Sequence, residues 1–219
     1  MNFSISEENY IKAVYHLQQS ANNVTTNELA AELKTKPASV SDMIKKLKVK
    51  KVINYEKYKG VRLSTFGSKL ALSIVRKHRL WEFFLVEKLQ FGWDEVHEVA
   101  EELEHINSKK LIDKLDDFLG NPKYDPHGDP IPDKNGVIHQ IKQIKLSELS
   151  LNTFAVITSV GNQTSELLEL LKHKNILIGC KIEIKKKFDF DQSIEIKIQN
   201  QPVITISKEL SDSLFVKII

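Results

Sequence analysis

Apolar positions along the first half of the chain recur at helical spacing. Tyr10, Ile11, Val14, Tyr15 and Leu17 predict a first helix over Glu7 to Gln18, with Ser6 as its cap. A second amphipathic stretch runs from Thr26 to Leu33. After the turn Lys34 to Pro37, a third runs from Ala38 to Leu47, and Pro37 suits the first helical turn because its missing N–H would be unpaired there anyway. The period then drops to two: Val52 to Glu56 and Val61 to Ser64 flank the turn Lys57 to Gly60 and predict a hairpin. Helical spacing resumes at Thr65 and continues through Leu70, Leu72, Val75, Leu80, Phe83, Phe84 and Leu89, followed by a second helix from Asp94 to Ile106. From Ile141 onward the runs are short and alternating. Strands are predicted at Ile141 to Leu146, Thr153 to Val160, Gly179 to Lys185, Ser193 to Ile198, Gln201 to Ser207 and Leu214 to Ile218, with a helix at Ser165 to His173. Alternation in Lys181 to Lys187 and Ile194 to Ile198 suggests half-buried strands of a small barrel. The whole is an α+β chain in three parts: residues 1–73, 74–140 and 141–219.

Two short helices, a tight turn, small polar residues leading the second helix and a hairpin after it make a winged helix-turn-helix. Lys36, Pro37, Ala38, Ser39, Ser41 and Asp42 then lie at the leading end of the recognition helix, where side chains reach base edges or phosphates. Lys45 and Lys46 on that helix, with Lys57, Lys59 and Arg62 on the wing, are placed to neutralise phosphates. The competing reading is a lysine-rich solvated surface on a small α+β domain.

Charge separates the parts. The chain carries only +3 over 219 residues. Residues 1–77 hold +8 (14 Lys and Arg against 6 Asp and Glu), residues 78–140 hold −7 (7 against 14), and the remainder +2 (11 against 9). A basic first third suits a polyanion; an acidic middle that also holds His78, His97, His105, His127 and His139 suits cations. The longest apolar runs, Phe83 to Val86 and Ile176 to Ile178, fall far short of the ~20 residues needed to span a bilayer, so no membrane partner is expected. A start containing Glu7 and Glu8 without an apolar core is not a signal peptide, and the single cysteine, Cys180, fits a reducing cytoplasm.

The acidic middle concentrates ligand-type residues. His78 and Glu82 lie four apart on the long helix, and His97, Glu101, Glu104 and His105 fall within roughly one-third of the circumference of the next one. Carboxylates stacked on one stripe repel each other, and burying them uncompensated costs several kcal/mol. A divalent cation resolves the conflict; a merely solvated acidic face is the alternative. Mixed imidazole and carboxylate donors suit Mn(II) or Fe(II) best, with Co, Ni, Zn and Cd as further divalent metals of the same preference. His97-Glu98 begins like the metalloprotease pattern H-E-x-x-H, but the fifth position is Glu101, so the two-imidazole site is missing.

Several segments together resemble a known family. They are Glu8 to Ile11, Pro37 to Ser41, Arg76 to Glu82, Val96 to His105, and the proline-rich stretch Asp125 to Pro132. The chain resembles the diphtheria-toxin-repressor and manganese-transport-regulator family of bacterial metalloregulators over about residues 5–140. The resemblance implies an N-terminal winged helix-turn-helix, a helical dimerisation domain and a C-terminal SH3-like domain akin to ferrous-iron transport protein A. It implies a homodimer that binds a palindromic operator in double-stranded DNA, upstream of metal-uptake genes, with the metal as corepressor. It also implies two sites: Glu101, Glu104 and His105 match the regulatory one, and His78, Glu82 and His97 match the ancillary one. Asn9 stands where the family supplies Met or Asp from the first helix, and Lys12 where manganese-type members often place a carboxylate. Ser159 to Gln163, where longer members lend a carboxylate and an amide, has no acidic residue, leaving Asn162 or Gln163. Two other functions stay open on the residues alone: a metal-dependent hydrolase, and a winged-helix regulator answering an organic ligand.

Overall fold

The computed structural model describes residues 3–56, 59–139, 142–161 and 163–219; Lys57 of the expected wing turn, Ile141 at the head of the first expected C-terminal strand, and Asn162 lie outside them. The chain forms two compact units. The first contains Met1–His78, Glu101–Asp117 and Pro132–Val137, and the second Arg79–Ala100, Phe118–Ile131 and Ile138–Ile219.

In the first unit, α1 (Ile5–Leu17), α2 (Thr26–Glu32) and α3 (Pro37–Val49) precede the hairpin β1 (Ile53–Glu56) and β2 (Gly60–Leu63). Ile11, Val14, Leu29, Val40, Ile44, Leu47, Val52 and Val61 form its buried core together with Ala71 and Ile74 of α4 (Thr65–Leu89). The hairpin is antiparallel, with Ile53 opposite Leu63 and Glu56 opposite Gly60. Val24 adds a bridge to Val61, which brings its carbonyl to 2.6 Å of any Cβ at position 60; Gly60, at φ +96°, is the residue that fits. The cap of α1 is Ser4, not Ser6. The Ser4 hydroxyl accepts from the Glu7 N–H at 3.3 Å while the Glu7 carboxylate accepts from the Ser4 N–H at 2.8 Å. This reciprocal capping box starts the helix two residues earlier than apolar periodicity alone suggests.

The acidic helix is also shorter than expected. It spans only Val96–Leu103 (α5), and Glu104 and His105 lie in the turn that follows. The stripe of four ligands on one helix therefore does not exist; Glu104 is fully buried by leaving the helix rather than by facing inward from it. A further helix, α6 (Lys109–Phe118), buries just Ile112 and Leu115, too sparse an apolar pattern to stand out among its charges.

In the second unit, β3 (Ile144–Lys145), β4 (Phe154–Val160), β5 (Lys181–Lys187), β6 (Ile194–Ile198), β7 (Val203–Ile206) and β8 (Leu214–Ile218) form one sheet in the order β3-β8-β4-β5-β6-β7. All the pairings are antiparallel, with register shifts at Ile157/Ser159 and Ile184/Lys186. Such bulges bend strands in the way small barrels require, although no β3–β7 pair closes a ring among the described residues. Alternate residues Ile182, Ile184, Ile194, Ile196 and Ile198 enter the core with Leu168 and Leu171 of α7 (Ser165–His173). A short helix, α8 (Lys208–Asp212), precedes the last strand. Among the described residues no helix is long and apolar enough to cross a membrane.

Glu7 does more than cap α1. Its carboxylate, almost wholly buried, also meets Lys50 at 2.6 Å and Lys46 at 3.3 Å at the far end of α3. Burial raises its pKa, but the hydrogen bonds from Lys50, the Ser4 N–H and Lys46 win and hold it at about 2, against an ordinary 4.5. A depressed carboxylate stabilises the fold above its unfolded pKa, and the contribution disappears as pH falls from about 4.5 towards 2. Glu7→Gln is therefore expected to lower unfolding free energy by about 1 kcal/mol near neutrality, with the gap to wild type closing across that window in urea titrations. A gap independent of pH would refute the assignment.

Candidate functional site

The surface expected to meet DNA is displayed as the sequence suggests. Lys36, Pro37, Ala38 and Ser39 are exposed at the start of α3, and Asp42, Lys45 and Lys46 are exposed further along it. The Ser41 hydroxyl donates to the Pro37 carbonyl at 3.0 Å, leaving its lone pairs outward as acceptors. Three of the lysines have acidic neighbours: Lys45 meets Asp42 at 3.0 Å, Lys59 meets Glu56 at 2.7 Å, and Lys46 meets Glu7. The first two pairs are solvent-exposed and hold their lysines weakly, so phosphates can compete for them. Lys46 belongs as much to the Glu7 clamp as to the surface.

Among the described residues each unit also holds a cluster of titratable side chains. In the first unit, His78 Nδ1 lies 2.7 Å from Glu104 and His105 Nδ1 lies 2.6 Å from Glu8. Lys12 of α1 reaches into the same place: its ammonium is 2.8 Å from the Glu104 carboxylate and also pairs with Glu101. Asn9 Oδ1 is buried without a hydrogen-bond partner. Burial works to raise the Glu104 pKa, but the hydrogen bond from His78 and the charge of Lys12 bring it below the ordinary carboxylate range. Lys77 lies close by, and burial pushes its pKa down against the pull of Glu8 and Glu104. The cluster is thus built for positive charge, and the chain fills it with its own. A divalent ion does not fit between Glu101 and Glu104 while Lys12 is there.

The second unit holds a different arrangement. Glu82 of α4, Asp125 and His127 are all buried, with one donor atom of each within 4.8 Å of the others. His97, half exposed on α5, places Nδ1 3.4 Å from Glu82. His127 Nε2 lies 2.7 Å from the Trp93 carbonyl, and the imidazole stacks on the Trp93 ring at 5.9 Å. A carbonyl can only accept, so Nε2 carries a ring hydrogen, and in the neutral imidazole Nδ1 is the lone pair open to a metal. That Nδ1 is buried without a hydrogen-bond partner, 3.8 Å from Glu82 Oε1. The neutral imidazole offers that lone pair, beside two buried carboxylates, to a cation. Asp125 adds to the deficit: burial, then the charges of Glu82 and Asp129, push its pKa well above the ordinary range despite Arg79 at 3.4 Å. Here the donors fit a divalent cation, and the orientation of His127 by a backbone carbonyl is the outer support metal-binding imidazoles generally have.

The loop bearing these ligands is held from several sides. Asp125 Oδ1 accepts from the N–H groups of His127 and Asp129 at 2.9 Å each, and the His127 carbonyl accepts from Val160 N–H of β4 at 3.0 Å. Gln163 donates to Asp129 at 3.2 Å, so the acid-poor stretch after β4 supports the loop with an amide and a backbone N–H. Sequence reading grouped Glu82 with His78 and His97; the fold puts Glu82 and His97 in the second unit and His78 in the first. It missed Asp125, His127 and Glu8. A hint was available in Asp125-Pro126-His127-Gly128-Asp129, a tight turn that sets a carboxylate and an imidazole two residues apart.

Comparison with known proteins places these features in a family. The model described as "Iron dependent repressor, N-terminal DNA binding domain" matches residues 2–61, "Iron dependent repressor, metal binding and dimerisation domain" matches 65–133, and "FeoA domain" matches 144–218. The diphtheria toxin repressor of Corynebacterium jeikeium is 26% identical over 182 residues, 82% of this chain and 76% of its own. The HTH-type transcriptional regulator MntR of Oceanobacillus iheyensis is 32% identical over 120 residues, covering 55% and 81% respectively. A solved structure described as a manganese-dependent transcriptional repressor complex with manganese superposes with a TM-score of 0.88 at 27% identity, covering 97% of this chain and 100% of that one. The fold and sites define a DNA-binding metalloregulator. The chain belongs to the diphtheria-toxin-repressor and manganese-transport-regulator family of metal-dependent transcriptional repressors.

Gly128 is the tightest point of the ligand loop. It has φ +86°, and a Cβ there would lie 1.9 Å from the Thr158 carbonyl. Gly128→Ala is expected to destabilise the protein by about 2 kcal/mol or more, read as a lowered urea midpoint. An unchanged midpoint would mean that the loop is not pinned against β4.

Proposed function

We propose that the protein is a repressor of metal-uptake genes, acting in the cytoplasm as a homodimer on a palindromic operator with Mn(II) or Fe(II) as corepressor. Residues 1–73 bind DNA, 74–140 hold metal and the dimer contact, and 141–219 buttress the ligand loop. The observation that carries this reading is the buried His127 Nδ1, without a hydrogen-bond partner beside Glu82 and Asp125, a donor set that suits a cation. Glu82, Asp125 and His127 would hold the metal, with His97 at the exposed side. Bound there, a divalent ion would supply two positive charges to the buried carboxylates. Trp93 orients the imidazole, Arg79 and the backbone N–H groups keep Asp125 in place, and β4 fixes the loop. The oxygen-rich set leans towards Mn(II) or Fe(II) over softer metals.

On DNA, the exposed start of α3 enters the major groove, and Ser39 and Ser41 reach base edges while Lys36, Lys45 and Lys59 meet phosphates. Metal activates only to the extent that it binds the DNA-competent arrangement more tightly than the idle one.

Two measurements test the proposal. Operator affinity, read by mobility shift, is expected to rise at least tenfold with micromolar Mn(II) and to return to baseline in EDTA; Glu82→Gln and His127→Leu should each remove the rise while leaving the metal-free affinity unchanged. Equal binding with and without chelator would sink metal activation. Separately, Lys45→Ala should weaken binding to all sequences alike and reduce the log–log salt slope by about one, the change expected when a single phosphate is no longer neutralised. A sequence-selective weakening would instead make Lys45 a reader of bases.

A further inference from the structure

The first unit's cluster raises a question that metal activation leaves open. Two glutamates, Glu101 and the fully buried Glu104, both pair with the ammonium of Lys12. That cation is covalently part of the protein. Lys12 comes from α1, 89 and 92 residues away in sequence, and its side chain is itself almost wholly buried. A long, rotamer-rich lysine seldom goes into the interior unless it is paired, and here both partners are carboxylates. Around it the imidazoles are matched to carboxylates in turn: His78 with Glu104 and His105 with Glu8.

We infer that Lys12 is a tethered counter-cation that takes a metal's place between Glu101 and Glu104, so that the wild-type chain binds its activating metal in the second unit alone. The inference deepens the proposed function and rests on the second-unit site assigned there. Its physical basis is competition at fixed geometry. An ammonium delivered by α1 is present at an effective concentration no cytoplasmic metal matches, and removing it would expose two desolvated carboxylates to each other. A divalent ion must first expel it. Lys12 is therefore a specificity-determining residue: it sets how many metals the chain takes and which cluster answers them.

The experiment counts Mn(II) per protomer, by calorimetry and by loss of the free-ion paramagnetic resonance signal, on the full chain. Wild type is expected to bind one equivalent, and Lys12→Gln two. Lys12→Arg, which keeps the charge, should stay at one. Without metal, Lys12→Gln should melt below wild type, and Mn(II) should recover the deficit. Should Lys12→Gln fail to fold, Glu104→Gln in the otherwise wild-type chain decides: one equivalent retained supports the inference, and a lost equivalent overturns it. Two equivalents on wild type, or one on folded Lys12→Gln, also overturn it. A wild type and Lys12→Gln that both bind no Mn(II) would instead refute the metal-activated reading itself, whereas one equivalent that survives Glu82→Gln would refute its placement in the second unit.

Discussion

Burial of carboxylates is the constraint on which the rest of this structure depends. Glu7, Glu8, Glu82, Glu104 and Asp125 are all taken almost wholly out of water. Each such ion loses several kcal/mol of hydration, and attraction to a partner restores it only when geometry is good. The first unit meets the requirement internally, with Lys46 and Lys50 on Glu7, His105 on Glu8, and Lys12 and His78 on Glu104. The second meets it in part. Arg79 reaches Asp125 and Asp129, yet burial, together with the charges of Glu82 and Asp129, still pushes the Asp125 pKa well up. The two clusters thus differ in the side chains set beside their carboxylates.

The C-terminal sheet matters to this chemistry because it holds a loop. Without a backbone N–H from Val160 and the close approach of Gly128 to Thr158, the turn bearing Asp125 and His127 would have few reasons to keep its shape. The isoleucine-rich core behind β4 keeps that strand in place. Preorganised ligands bind metal more tightly than mobile ones, since less ordering is left for the binding step. The acid-poor segment after β4 contributes as a scaffold.

What could be read from the sequence divides along local and non-local lines. The winged helix was legible because its evidence lies within each element: Pro37 at a helix start, Ile44 and Leu47 at helical spacing, alternation on either side of Gly60. The end of α5 was not, because Glu104 and His105 continue the helical period in sequence while the chain turns away after Leu103. Periodicity reports what a helix would display, not whether it persists. Asp125 and His127 were illegible as neighbours of Glu82, which lies more than forty positions earlier. Lys12 was legible as a departure from a family pattern, but its meeting with Glu101 and Glu104 across some ninety residues is a tertiary fact.

That meeting gives α1 a role its position at the start of the chain does not suggest. Glu8 and Lys12, one turn apart on the same face, reach His105, Glu101 and Glu104, while Glu7 on the adjoining face reaches Lys46 and Lys50 at the end of the recognition helix. A thirteen-residue helix with a capping box at its start moves as a body rather than residue by residue. Charge placed at either end of this network therefore acts on the same rigid element. With Lys12 in the cluster, α1 and α3 are held by ion pairs that require no metal. Glu7 supplies the pairs to α3, and Glu8 and Lys12 those to His105, Glu101 and Glu104. On the inference drawn for Lys12, the cluster serves to fix α1 behind the recognition helix rather than to take up an ion.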